Sequence, residues 1–153
     1  MPDTNTNTIT DPAQFLHMTD EQLDDLFRES AAGEIPKGEG EGTAIIKPGS
    51  DISDEIARLI HFFTWKGKVF DPETGTLKNK ILPLGHKAII AKVYKGESWF
   101  DKKPCIVLDY SKTSLIAKWI RDEIREVSPG VYLGIVFVRR WKTIDFALEF
   151  PAR

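Results

Sequence analysis

Near the C-terminus Ile144, Phe146, Leu148 and Phe150 alternate with Thr143, Asp145, Ala147 and Glu149. A period of two puts one set on each face of a strand, so this stretch predicts a half-buried β-strand. Six further runs read as strands: "TAIIK" (43–47), "WKGKVF" (65–70), "TLKNKIL" (76–82), "KAIIAKVY" (87–94), "PCIVLDY" (104–110) and "VYLGIVFVR" (131–139). "DPETG" between the second and third is a hairpin loop, and "KGESWFDKK" (95–103) is another connection. About seven short, closely spaced strands predict a mainly β, antiparallel fold. Curling or closing the sheet into a barrel removes its exposed edges.

Three segments follow a helical period instead. Thr19 and Gln22 have the spacing of a capping box before Leu23, Leu26 and Phe27, with Gly33 as a terminator. Ile52, Ile56, Leu59, Ile60 and Phe63 are spaced for one buried helix face, capped by Ser50 or Asp51. The third helix is expected at about 113–127, capped by Ser111 or Thr113 and stopped by "SPG". Its stripe is Leu115, Ile116, Trp119, Ile120, Ile124 and Val127, with Lys118, Arg121, Asp122 and Arg125 opposite. Glu123 falls in the middle of that stripe. A carboxylate there needs a cationic partner, hydrogen-bond donors or a proton, unless the helix sits at a barrel mouth. Lys92 and Arg139 are the candidate cations.

"GEIPKGEGEG" (33–42) reads as a loop. Its "GEGEG" is a poor phosphate cradle, because Glu39 and Glu41 repel phosphate and a strand follows.

Composition narrows the function classes. The chain has 153 residues, 41% of them hydrophobic, and a formal charge of −2. That suits one domain, 12–153, behind a Thr/Asn/Asp-rich tail at 1–11 expected to be disordered. No basic excess points to nucleic acid. No apolar run approaches the ~20 residues of a membrane span. The N-terminus lacks the pattern of a secretory signal. The single cysteine, Cys105, fits a reducing cytoplasm and reads as a small buried hydrophobe. His17, His61 and His86 are scattered, so neither a metal nor another cofactor is expected. A homodimer stays open.

The candidate chemistry lies in aromatics and in polar residues on apolar strands. Trp65, Trp99, Trp119 and Trp141 sit on different elements and either pack the core or line a cavity for an apolar or planar ligand. Asn79, Lys92, Tyr94 and Asp109 punctuate strand faces, either partly solvated or converging as polar anchors. The ligand-binding set is therefore Trp65, Asn79, Lys92, Tyr94, Asp109, Trp119 and Glu123. The leading expectation is a binding protein for a small hydrophobic or planar molecule. The alternatives are a cofactor-free isomerase, cyclase or hydratase using Glu123 or Asp109 as acid/base, and a module with a filled interior.

From residue 15 onward the chain resembles an uncharacterised family of small bacterial proteins with a lipocalin-like (calycin) barrel. The carrying stretches are "LFRESAAGEIPKGEGEGTAI", "FTWKGKVFDPETGTLKN", "CIVLDYSKTSLIAKWIRDEIREVSPGVYLG" and "FALEF". They are similar to proteins with a GXWXG motif, which here reads Phe63-Thr64-Trp65-Lys66-Gly67, with Phe63 in place of the first glycine. The resemblance implies a lipocalin-like barrel of about seven to ten strands around an interior cavity. It implies no particular activity and no catalytic residues.

Overall fold

The computed structural model describes residues 11–45, 68–79, 89–112 and 118–151. Within them eight strands form a closed barrel: β1 (Gly38–Ile45), β2 (Lys68–Asp71), β3 (Thr76–Asn79), β4 (Ile89–Glu97), β5 (Pro104–Asp109), β6 (Ile120–Ser128), β7 (Val131–Val138) and β8 (Trp141–Glu149). Each strand pairs antiparallel with the next, and β8 pairs with β1 to close the ring. The fold is therefore mainly β, as the strand pattern predicts. The expected helix over 50–63, Trp65 and the whole 63–67 motif lie outside the described residues.

Register sorts the side chains into an inner and an outer set. Phe70 lies opposite Leu77 and Leu77 opposite Ala91; Ile106 lies opposite Ile124, Ile124 opposite Gly134, and Gly134 opposite Phe146. The bulky members of these rows form the interior core with Leu108, Tyr110, Ile120 and Leu148. Two glycines make room for it. A β-carbon at Gly40 would sit 2.5 Å from the Phe150 ring, and one at Gly134 would overlap the Phe146 ring. Both rings fill space that a side chain on the opposite strand would have occupied.

That packing corrects the reading of "GEGEG" as a loop. It lies in β1, with Gly38, Gly40 and Gly42 on one face and Glu39 and Glu41 exposed on the other. Glycine disfavours strands by propensity. Here the inner face needs the room, and pairing with β2 and β8 overrides the propensity.

A second core covers the outer wall. A 3-10 helix, Pro12–His17, precedes α1 (Asp20–Glu29). Thr19 and Gln22 form the expected capping box, each bonding the other's backbone N–H. Asp11 and Gln14 form a second box, so the last residue of the expected tail caps the 3-10 helix. α1 ends at Ser30, three residues before Gly33. Phe15, Leu23 and Phe27 are fully buried against Leu133, Ile135, Phe137 and Ala147. β7 is thereby apolar on both faces, and its sequence shows no alternation.

The helix expected at 113–127 is corrected. Lys118 and Trp119 form a turn and Ile120–Ser128 is β6, hydrogen-bonded to both β5 and β7. Residues 113–117 lie outside the described residues. Ile120, Ile124 and Val127 satisfy a helical period by coincidence. In the strand Ile120, Asp122 and Ile124 face inward, while Arg121, Glu123, Arg125 and Val127 face the covered outer wall. Burial on both faces removes the alternation that marks a strand.

Candidate functional site

Three polar side chains meet on the inner wall. Lys68 starts β2, Tyr110 follows β5, and Asp122 lies in β6. Their exposures are 2%, 0% and 3%. Lys68 Nζ donates to Tyr110 Oη at 3.2 Å and lies 3.7 Å from Asp122 Oδ2. Tyr110 Oη donates to the same carboxylate oxygen at 3.5 Å. Lys68 Nζ also stands 5.8 Å from the centre of the Phe146 ring. Asp122 Oδ1 is buried and accepts no hydrogen bond among the described residues.

Burial governs the charge state of this cluster. It pushes the Asp122 carboxyl up to about 6, against the pull of Lys68 and the Tyr110 hydroxyl. It also lowers Lys68 from the usual ammonium range, against the attraction of Asp122. Both shifts have one physical origin: a low-dielectric interior penalises either charge. Among the described residues the cluster leaves one acceptor, Asp122 Oδ1, without a donor.

The raised Asp122 value fixes a sign. Between the ordinary 3.8 and about 6 the folded state retains a proton that the unfolded chain has lost. Stability from this group is therefore highest below that window and falls as pH rises through it. Asp145, pushed up to about 6 chiefly by burial, acts in the same direction. Asp122→Asn is expected to flatten the fall by about 1 kcal/mol per pH unit, read from urea unfolding at several pH values. An unchanged slope would show that Asp122 is ionised throughout.

The residues singled out in the sequence lie elsewhere. Lys92 is exposed on β4. Tyr94 is 39% exposed, and its hydroxyl donates to Asp109 Oδ2 at 3.1 Å. Burial pushes the Asp109 carboxyl up, but hydrogen bonds from Ser111 and Tyr94 more than offset it and hold it below the usual range. Asn79 is placed by its backbone, opposite Lys68 and Ile89. Trp119, expected in a buried stripe, is 56% exposed. Trp119→Ala should then change stability by less than about 0.5 kcal/mol. A loss of ~3 kcal/mol or more in thermal unfolding would restore the buried placement.

Glu123 is fully buried, yet on the outer wall rather than in the barrel or at its mouth. Its partner is Arg121, whose Nε donates at 3.1 Å, and not Lys92 or Arg139. Ser98 Oγ and Trp99 N donate to its two oxygens at 2.5 and 2.8 Å. These bonds tie the β4–β5 connection across β6. Two residues on, Arg125 binds Asp101 of the same connection through both oxygens. Cys105, also fully buried, has its thiol pushed up to about 12 by burial and then by the Glu123 charge, so it stays protonated.

Lys68, Tyr110 and Asp122 were absent from the expected set. The signal for Asp122 is present in hindsight: Ile120-x-Asp122-x-Ile124 is a strand alternation with a carboxylate at its centre. A helical wheel places the same residue on the solvent side.

At the other end of the barrel a cleft of about 710 Å³ opens over Tyr132 and Phe150. Glu34, Glu39, Glu126 and Lys37 line it. Phe150 lines this cleft, while the Phe146 ring stands 5.8 Å from Lys68 Nζ in the cluster.

Fold and site together define the class: a closed eight-stranded antiparallel barrel with a helix-covered flank and an ionisable cluster on its inner wall. No family model and no curated protein matches the chain. A crystal structure of a protein from Thermomonospora curvata shares the fold, with a TM-score of 0.58 over 92% of this chain and 93% of that one, at 15% identity. At that identity the likeness concerns the fold alone.

Proposed function

We propose that the protein is a lipocalin-like binder of a small apolar or planar molecule, held inside the barrel with one N–H or O–H donor directed at Asp122. The observation that carries this reading is the buried Asp122 Oδ1, which has no donor among the described residues. A buried acceptor without a donor costs about 1–3 kcal/mol, and a ligand donor would offset that cost. Phe70, Ile124 and Phe146 supply apolar surface in the same interior core. An eight-stranded barrel has an interior wide enough for side chains or for one small ligand. The Lys68–Asp122 pair balances its own charge, which favours a neutral ligand over an ion.

The test is native mass spectrometry of freshly purified protein beside the Asp122→Asn variant. Wild type should carry a small organic mass that denaturation releases, and the variant should carry at least tenfold less. A ligand-free wild type that also fails to take up neutral planar compounds bearing one donor would sink the proposal.

One observation favours a second reading, a cofactor-free acid/base enzyme. A carboxyl titrating near 6 beside a tyrosine hydroxyl suits proton transfer. The role would then pass from Glu123, whose oxygens are bonded to structural donors, to Asp122. Turnover of the identified ligand, abolished in Asp122→Asn, would decide for it.

A further inference from the structure

The rim at the β7–β8 turn combines three features that the interior site does not explain. The first is strain. Val138 pairs with Trp141, so Arg139 and Arg140 form a two-residue hairpin turn. Both have positive φ, 51° and 74°. Such turns favour Asn-Gly, because only those residues adopt left-handed backbone cheaply. Two consecutive arginines there are a poor choice for stability, and strain of this kind collects where a surface is used.

The second feature is exposed indole. Trp141 is 78% exposed beside the turn and Trp119 is 56% exposed. The two loops are joined, since Arg139 N donates to Trp119 O at 3.0 Å. Trp99, 44% exposed, lies 5.5 Å from the Arg140 guanidinium. The third is local positive charge on a chain of net charge −2. Lys118 and Arg139 stand 4.8 and 5.6 Å from the Trp119 ring centre. Among the described residues, neither these two nor Arg140 is in an ion pair.

We propose that this rim docks the protein onto an anionic lipid surface. Indole suits the boundary between headgroups and acyl chains, and cations beside it meet lipid phosphates and carboxylates. A single-stranded nucleic acid is the less fitting partner. It needs a groove that tracks its backbone and open aromatic faces for its bases. Here the rings stand at a hairpin end, and cations lie over their faces.

The test is sedimentation of the full chain with phosphatidylcholine vesicles, with and without phosphatidylserine. Wild type should pellet with the anionic vesicles alone, less so as salt is raised, and with a blue shift of its tryptophan fluorescence. Arg139→Asn combined with Arg140→Gly removes two cations and the backbone strain together. Its Tm should rise while partitioning falls about thirtyfold. Trp119→Ala with Trp141→Ala should keep the wild-type Tm and lose binding. Any of four results would overturn the proposal: no pelleting, equal pelleting with neutral vesicles, wild-type binding by the turn variant, or preference for a single-stranded oligonucleotide over vesicles.

Discussion

Arg125→Ala should lower the unfolding free energy by about 3–5 kcal/mol, the largest effect expected of any single substitution here. The guanidinium is 0% exposed and spends its N–H groups on structure. Nε donates to Pro104 O at 3.0 Å, one terminal nitrogen to Phe27 O at 2.7 Å, and the other to Lys103 O at 3.2 Å. The two terminal nitrogens also grip Asp101 at 2.6 and 2.7 Å. The planar group stacks 4.3 Å from the Phe27 ring centre. Alanine would leave a part-buried carboxylate and three carbonyls short of a donor, and a cavity under α1. Lysine cannot rescue it, because an ammonium lacks the planar fork. Arg125's hydrogen bonds, the largest influence on Asp101, hold that carboxyl below the usual range. The stability from this pair is therefore present above the unfolded value of 3.8 and lost as pH falls through the folded one. Guanidinium unfolding at pH 7 and under acid conditions measures both claims. A loss below ~1 kcal/mol at pH 7 would mean that solvent replaces the network without penalty. Removing Asp101 as well, as Arg125→Met with Asp101→Leu, should cost less than Arg125→Ala alone.

Glu123→Leu is the second large effect, also about 3–5 kcal/mol. A leucine fits beside Val107 and Ile135, which lie opposite on β5 and β7. It strands Arg121, which is only 14% exposed, together with the Ser98 hydroxyl and the Trp99 N–H. The β4–β5 connection should then detach from β6. Amide exchange at Trp99 and Phe100 should rise before global unfolding does. Glu123→Gln keeps an acceptor for one of these donors and should lose less than half as much. Ligand binding inside the barrel should be unchanged in Glu123→Gln, since the side chain lies on the outer wall. A Glu123→Leu protein as stable as wild type would show that this ionic contact contributes nothing net.

The amino-acid pattern alone determined a good deal. Seven of the eight strands in the described residues overlap runs of alternating or apolar residues, and the turn at "DPETG" falls where those residues predict it, whereas "SPG", expected to stop a helix, joins β6 to β7. The capping box at Thr19 and Gln22 starts a helix because it is a local hydrogen-bond motif needing nothing beyond four residues. That Glu123 needs a partner if buried was also legible, but through a helical stripe that the strand does not form, since Ile120 and Ile124 face the opposite side of β6. The tertiary structure decided the rest, for one physical reason. Over β5–β8 the outer wall is covered by α1, the 3-10 helix and the β4–β5 connection, so both faces of those strands are buried. Once both faces are dry, polarity along the chain no longer tells inside from outside, and β6 mimics a helix. Which carboxylate enters the barrel then depends on register with partners far along the chain. Asp122 faces in because it lies opposite Leu108 and Val136, and Glu123 faces out because it lies opposite Val107 and Ile135. Lys68 meets Asp122 only when the ring closes through β1 and β8, a non-local event that no short stretch of sequence encodes.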